Sequence, residues 1–390
     1  MWYNKSMKIV LFGGTFDPPH VEHVRMAEEA VRELQPDLLL VMPTFLPPHK
    51  ETLFAASAAD RLEMCRLAFS DIPCARVSDY EISRARKSYS YLTVRAVAKK
   101  YPGAEILFLM GTDMLETFDK WKNPEKILRY SLPVLCEREG EGTSAAVSAE
   151  RFSDKFGVRI LRLGYVGKKV SSTDYKIDRL LGLPALGRLP GRVEDYVEEK
   201  GLYFSFVPFS FLRERLKMSR LVHTAGVIRK ALELCAATGV SRRKAFAAAA
   251  LHDCAKYEDP SDYPGFRLPE GVPRPVVHQF LGAYVAETVL GEKDEEVLDA
   301  VRYHTSGKPG MSVLGKIIFV ADMIEENRNY PEVDELRAKV KESFEEGFIL
   351  CLERSYRFVV QSGKPVFPLT RKAAEFYRCL PSSEAEIRKE

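Results

Sequence analysis

The sequence predicts an α/β domain with a parallel sheet, followed by an all-α domain. Three observations predict it. Short β-rich runs alternate with helical stretches over residues 8–165, strand signals fade after about Tyr203, and the seven histidines fall into two separated groups. Alternation of strand and helix is the pattern of βαβ units, which give a parallel sheet with helices on both faces. The strand candidates are KIVLF (8–12), DLLLVM (37–42), ARVSDYEI (75–82), EILFLMG (105–111), LPVLCE (132–137) and VRILRL (158–163). Helical patterns lie between them at 24–34, 60–69, 90–100 and 124–130, and REGEGTSAAVSAE (138–150) reads as a polar, glycine-containing loop.

Helical patterns dominate the second half, at 211–237, 242–257, 276–290, 292–303, 312–327 and 333–360. Turn residues at Thr238-Gly239, Asp259-Pro260, Gly291 and 307–310 separate them. The boundary is expected within 204–210, giving domains 1–204 and 205–390. A chain of 390 residues is longer than one core usually grows, which agrees with two domains. The first six residues read as an extension, and PSSEAEIRKE (381–390) as a polar tail.

Composition bounds the function classes. Apolar content of 46% and charged content of 29% are those of a soluble globular protein. A net charge of +3, from 58 basic and 55 acidic residues well mixed, is too weak a bias to argue for nucleic acid, so no nucleic-acid partner is expected, and it is compatible with anionic substrates. Seven cysteines without a CxxC pair point to reduced thiols and a cytoplasmic location. No apolar run approaches the roughly 18 residues of a membrane helix, and the start does not read as a signal peptide. A homo-oligomer is left open.

The first histidine group lies in GGTFDPPHVEH (13–23) and PPHK (47–50). Gly13 and Gly14 end a strand and let backbone approach a phosphate. A helix starting near His20 turns free N–H groups and its positive dipole end toward an anion. His20 and His23, three apart, share one face of its first turn and can stabilise charge on a phosphoryl centre. In VSSTDYK (170–176), hydroxyls at a helix start precede Lys176, a second phosphate-clamping element.

The second group runs His223 … His252-Asp253 … His278 … His304 … Asp322 on successive helices. Neutral imidazoles suit iron, manganese or zinc, and an aspartate can bridge two ions. Five or six ligands exceed the needs of a mononuclear zinc site, so a dinuclear centre is expected. Such a pair activates water and clamps a phosphate.

With GGTFDPPHxxH, LPPHK (46–50), RLEMCRLAF (61–69), DYEISRxxxSYS (79–90), LMGTDMLETFDKW (109–121), VSSTDYK and VEDYVEEKGLY (193–203), residues 8–204 resemble bacterial nicotinate-mononucleotide adenylyltransferases. The resemblance implies a Rossmann-like nucleotidyltransferase fold. It also implies adenylyl transfer from ATP, with Mg²⁺ on its triphosphate, to nicotinate mononucleotide, by in-line attack and without a covalent intermediate. By position, His20 and His23 contact phosphates, and Gly13, Gly14, Thr15 and Phe16 line the nucleotide pocket. Lys50, Ser172, Thr173 and Lys176 hold phosphates, Asp113 meets a ribose, and Tyr89 and Trp121 frame the nicotinate ring. The chain departs from the family pattern in three places. Glu22 replaces the glycine of HxGH, Arg86 replaces a glycine, and Lys176 replaces an arginine, which gives up bidentate geometry. Glu22 either points away or acts through the metal.

LVHTAGVIRKALELC (221–235), AALHDCAKY (249–257), VHQFLGAYVAE (277–287) and AVRYHTSGKPGMSVLGKIIFVADMIEENR (300–328) carry a resemblance of residues 211–365 to the YqeK-type HD-domain hydrolases of bacteria. That family splits diadenosine tetraphosphate symmetrically into two ADP at a dinuclear metal centre. The resemblance implies His223, His252, Asp253, His278, His304 and Asp322 as ligands, with Asp253 and Lys256 in the catalytic machinery. Lys256 and Arg328 would contact polyphosphate, and Thr305 would shape the pocket mouth. Iron is the expected metal and manganese the alternative. A bifunctional enzyme follows; the rival is a hydrolase whose first domain only binds nucleotide.

Overall fold

The computed structural model describes residues 6–45, 54–185, 187–204 and 207–378. Lys50 and the tail 381–390 lie outside these residues, as does most of the 1–6 extension. The chain divides into two compact units, the residues to Lys176 with Ala185–Tyr203, and Ile177–Pro184 with Phe204 onward.

Strands Lys8–Gly14 (β1), Leu38–Pro43 (β2), Ala75–Val77 (β3), Glu105–Gly111 (β4), Leu132–Arg138 (β5) and Leu161–Gly167 (β6) build the first unit. They form one parallel sheet in the order β3-β2-β1-β4-β5-β6. Inner strands of such a sheet must be apolar on both faces, because helices cover both. Val10 and Phe12 face one core with Leu39, Val41 and Leu109, closed by Ala27, Met64 and Val193 from helices. Ile9 and Leu11 face the other with Leu40, Met42 and Phe108, closed by Val94 and Phe152. The strand order reverses between β1 and β4, and ligands of such sheets bind beyond the carboxyl ends at that reversal. Gly13 and Gly14 end β1 there, and Gly111 ends β4.

Three expectations for this unit need correction. Residues 142–156 form a helix rather than a loop; Ala145, Ala149 and Phe152 share its buried face, and two alanines give that face little hydropathic signal. The third strand stops at Val77, and Tyr80–Ser83 is a helical turn that buries Glu81. The sixth strand is Leu161–Gly167 rather than 158–163, with Leu161, Leu163 and Tyr165 packing on the core at alternate positions.

The second unit is helical. Helix Met218–Thr238 packs on Arg242–Leu251 and Val313–Ile324, with Ala245, Ala248 and Ala249 buried where the helices approach. The expected helix 333–360 breaks at Ser343, whose extended backbone and hydroxyl cap the helix Phe344–Gln361. The expected 242–257 helix stops at Leu251, so His252 and Asp253 stand in the turn beyond it. His304 likewise follows the helix Glu295–Arg302 instead of lying on it. Among the described residues, no helix is long and apolar enough to cross a membrane.

Candidate active sites

The helix Val21–Leu34 begins with an unusual cap. His20 Nδ1 accepts from the His23 backbone N–H at 3.2 Å, and His23 Nδ1 accepts from the His20 N–H at 3.1 Å. This is a capping box made by two imidazoles. A nitrogen that accepts carries no proton, so each ring bears its N–H on Nε2. The rings stack with centroids 3.5 Å apart, and Phe16 meets His23 edge-on at 5.1 Å. Phe16 itself is buried in the core against Phe12 and Phe69, with a left-handed φ of 48°. A Cβ on Gly14 would lie 2.9 Å from the Phe16 ring, so Gly14 makes room for that ring. Gly13 has no such constraint. Buried Arg61 fixes the loop by donating to the Thr15 carbonyl at 2.8 Å and the Phe45 carbonyl at 2.9 Å.

Glu22 points away from the glycine turn. Its carboxylate accepts from the Tyr165 hydroxyl (2.7 Å), the Lys168 N–H (2.8 Å) and Arg25 (2.7 Å). Burial pushes its pKa up, yet these three bonds outweigh burial and keep the group below its ordinary value. Ser172 donates to the Pro18 carbonyl at 2.8 Å, which ties the start of helix Ser172–Leu181 to the histidine loop. Thr173 takes its place in that first turn, its N–H bonded to Ser171 Oγ at 3.1 Å. Two helix N-termini therefore meet at one loop, an arrangement that attracts an anion.

Lys176 faces Asp17 at 2.7 Å, and both are buried. The other Asp17 oxygen accepts from Tyr203 (2.8 Å) and the Ala56 N–H (2.9 Å). Removing one partner of such a pair leaves a buried uncompensated charge. Lys176→Met is expected to lower unfolding free energy by about 3–5 kcal/mol, read from urea unfolding followed by tryptophan fluorescence. An unmoved midpoint would show that the pair adds nothing net.

Tyr89 and Trp121 are half-buried. Lys122 lies over the Tyr89 ring at 4.7 Å, while Trp121 packs on Phe118 and Phe108. Asp113 is exposed beside Arg138 at 3.6 Å, at the end of β4, and Arg86 is exposed.

In the helical unit, the two turn histidines are aimed by the same device. His252 Nδ1 donates to the Ala249 carbonyl (2.7 Å) and His304 Nδ1 to the Val301 carbonyl (2.8 Å), each three residues back. The last carbonyls of a helix lack intrahelical partners, so they are available to fix a ring just beyond. Both Nε2 atoms therefore carry lone pairs that face inward. His223, His252 and Asp253 form one buried triad, and Asp253, His278 and His304 another, with the ligand atoms of each within 4.8 Å of one another. One Asp253 oxygen lies 3.4 Å from His252 Nε2; the other lies 3.2 Å from His278 Nε2 and 3.6 Å from His304 Nε2. The latter oxygen is buried without a hydrogen bond of acceptable geometry.

Asp322 stands 3.0 Å from His223 Nε2, and Glu325 stands 3.1 Å from His223 Nδ1. Burial pushes His252 down and His278 down to about 4, so both are neutral donors. Burial opposes charge on Asp253, but the facing imidazoles, His252 foremost, hold it well below the usual carboxylate range. Neutral His252 and His278 beside an ionised carboxylate fit divalent metal ions, with Asp253 between two positions. Lys256 Nζ lies 3.1 Å from His278 Nε2 and Thr305 Oγ1 lies 3.2 Å from it. Arg328 is bonded to Asp322 through both its carboxylate and its carbonyl.

Residues 11–176 match the cytidylyltransferase-like family, and 220–327 match the HD domain. A Mycoplasma genitalium protein named as a probable nicotinate-nucleotide adenylyltransferase/Ap4A hydrolase is 28% identical over 89% of this chain and 97% of its own. A probable nicotinate-nucleotide adenylyltransferase of Exiguobacterium sibiricum is 36% identical, over 50% of this chain and 99% of its own. The symmetrical bis(5'-nucleosyl)-tetraphosphatase of Bacillus subtilis is 37% identical, over 41% of this chain and 89% of its own. The chain belongs to both of these last two families.

In the adenylyltransferase half, motif reading missed Arg61, which holds the glycine loop from the start of the helix Ala58–Ala68. In the tetraphosphatase half it missed three residues. Arg220 donates to Asp253 at 2.8 Å from one turn before His223. Fully buried Gln279 accepts from the Thr305 and Ser306 N–H groups (3.1 and 3.0 Å), fixing the turn that carries His304. Glu325 is the third. The available signals were spacing: Arg220 lies three before His223, and Glu325 three after Asp322.

Proposed function

We propose that the chain is a bifunctional enzyme with two activities. The first half joins ATP and nicotinate mononucleotide into nicotinate adenine dinucleotide and pyrophosphate. The second half hydrolyses diadenosine tetraphosphate to two ADP. The observation that carries the hydrolase is the pair of buried triads sharing Asp253. For the transferase it is the two-histidine cap that puts N–H groups on Nε2 at a helix N-terminus.

In adenylyl transfer, a phosphate oxygen of the mononucleotide attacks the α-phosphorus of ATP in line and pyrophosphate leaves; Mg²⁺ on the triphosphate would offset its charge. His20 and His23 donate to phosphate oxygens, and His23 stabilises the charge that grows in the transition state. Gly13, Gly14, Thr15 and the Ser172–Thr173 turn would shape the cradle, with Lys50 adding a cation. Asp113 would take the ribose, and Tyr89 and Trp121 the nicotinate ring. Lys176 supports the loop through Asp17.

In hydrolysis, His223, His252, His278, His304, Asp253 and Asp322 would hold two metal ions, iron or manganese. When bound, the ions polarise water and neutralise phosphate charge. Arg220 orients Asp253. Lys256 and Arg328 bind the polyphosphate, and Thr305 lies at the mouth. The setting is cytoplasmic.

Product analysis tests both halves. Purified protein with Mg²⁺, ATP and nicotinate mononucleotide should yield the dinucleotide, and diadenosine tetraphosphate should yield ADP alone. AMP with ATP as products would overturn symmetrical cleavage. Transfer seen only in Glu22→Gly would favour the nucleotide-binding rival. Because Glu22 is held by Arg25 of its own helix, the Tyr165 hydroxyl and the Lys168 N–H, Glu22→Gly is instead expected to gain no transfer and to lose about 2 kcal/mol of stability.

A further inference from the structure

We infer that Glu325 is a positioning residue that makes the two metal positions unequal, with the His223 position the tighter. This rests on the dinuclear reading above. The imidazoles are not oriented alike. His252 and His304 give Nδ1–H to neutral backbone carbonyls, whereas His223 Nδ1 faces a carboxylate, Glu325 Oε1, at 3.1 Å. A carboxylate partner makes the opposite ring nitrogen a stronger metal donor than a carbonyl does. Glu325 is 1% exposed and held in place, its other oxygen accepting from the Asn327 N–H (2.7 Å) and side-chain amide (2.9 Å).

The chain gives up helix propensity to admit it. Gly226 lies inside the helix Met218–Thr238, where glycine costs about 1 kcal/mol against alanine. A Cβ there would lie 2.1 Å from Glu325 Oε2. The approach of the carboxylate accounts for the glycine.

Charge divides the two positions the same way. Asp253 is common to both triads. The His223 side adds Asp322 at 3.0 Å and Glu325 behind the ring. The His278 side has instead the Lys256 ammonium at 3.1 Å from His278 Nε2 and the Thr305 hydroxyl at 3.2 Å. On the His223 side the two extra anions are offset by Arg328 on Asp322 and Arg220 on Asp253, whereas the His278 side has a cation and no extra anion, so the balance still favours the first ion.

The test is metal release from the full chain. Protein loaded with Mn²⁺ is dialysed against graded chelator, and metal per chain is measured by elemental analysis. Wild type should release its metal in two separated steps. In Glu325→Gln the later step should move by about 10–100-fold toward lower chelator strength, closing the gap. Gly226→Ala should do the same with Glu325 present. Gly282→Ala should leave both steps in place, since a Cβ there meets its neighbours at 3.6 Å or more. Release of both ions in one step from wild type would overturn the inference, as would wild-type profiles in both Glu325→Gln and Gly226→Ala. One-step release from the native chain overturns the inference even if a variant fails to fold, and either variant that folds assigns the later step to Glu325. Wild-type protein that takes up no metal would overturn the dinuclear reading itself.

Discussion

Asp253→Asn is expected to lower diadenosine tetraphosphate hydrolysis by more than about 100-fold, because loss of even an outer partner of a metal ligand costs 10–100-fold. Adenylyl transfer by the same preparation should stay at the wild-type level. The size of the effect follows from geometry. One Asp253 oxygen faces His252 and the other faces His278 and His304. Asparagine keeps the volume but offers one acceptor, and its amide would turn two N–H donors toward ring nitrogens or metal. Arg220, 2.8 Å away, would lose its anionic partner. Both triads include this residue, so both metal equivalents should be lost together. Hydrolysis within tenfold of wild type, with two metals retained, would mean that Asp253 does not bridge.

His23→Ala should lower kcat for adenylyl transfer by about 10²–10³-fold, the usual cost of removing one transition-state hydrogen-bond donor. It should also cost roughly 1 kcal/mol of stability, because the ring caps the helix through the His20 N–H. His23→Gln separates the two effects. Glutamine at the third helical position can reach back to the cap N–H as in an ordinary capping box. Its stability should return toward wild type while kcat stays low. Recovery of kcat along with stability would show that His23 serves only the helix.

Much of both sites was legible because it is written in types and spacings. The glycine pair after a strand, histidines three apart and the series of histidines and aspartates need no tertiary knowledge, and the alternation of β-rich and helical runs gave the parallel sheet. Where reading failed, hydropathy was a poor guide. The helix Gly142–Phe156 buries a face of alanines with one phenylalanine, and the helix before His252 ends six residues earlier than its alanine-rich sequence suggests.

By itself the sequence determined which residue types were present and in what order: a phosphate loop, a metal-ligand series, and a change from strands to helices between them. Only the tertiary structure decided where side chains point. Glu22 looks like an anion in an anion site until Tyr165 on β6 and the Lys168 N–H just beyond it take the carboxylate. Lys176 reads as a phosphate clamp until Asp17 claims it from 159 residues away. Glu325, which no motif singles out, reaches His223 because Gly226 opens a path to it. The reason is common to all three: a charged side chain follows the strongest partner it can reach once buried, and folding chooses that partner from distant parts of the chain.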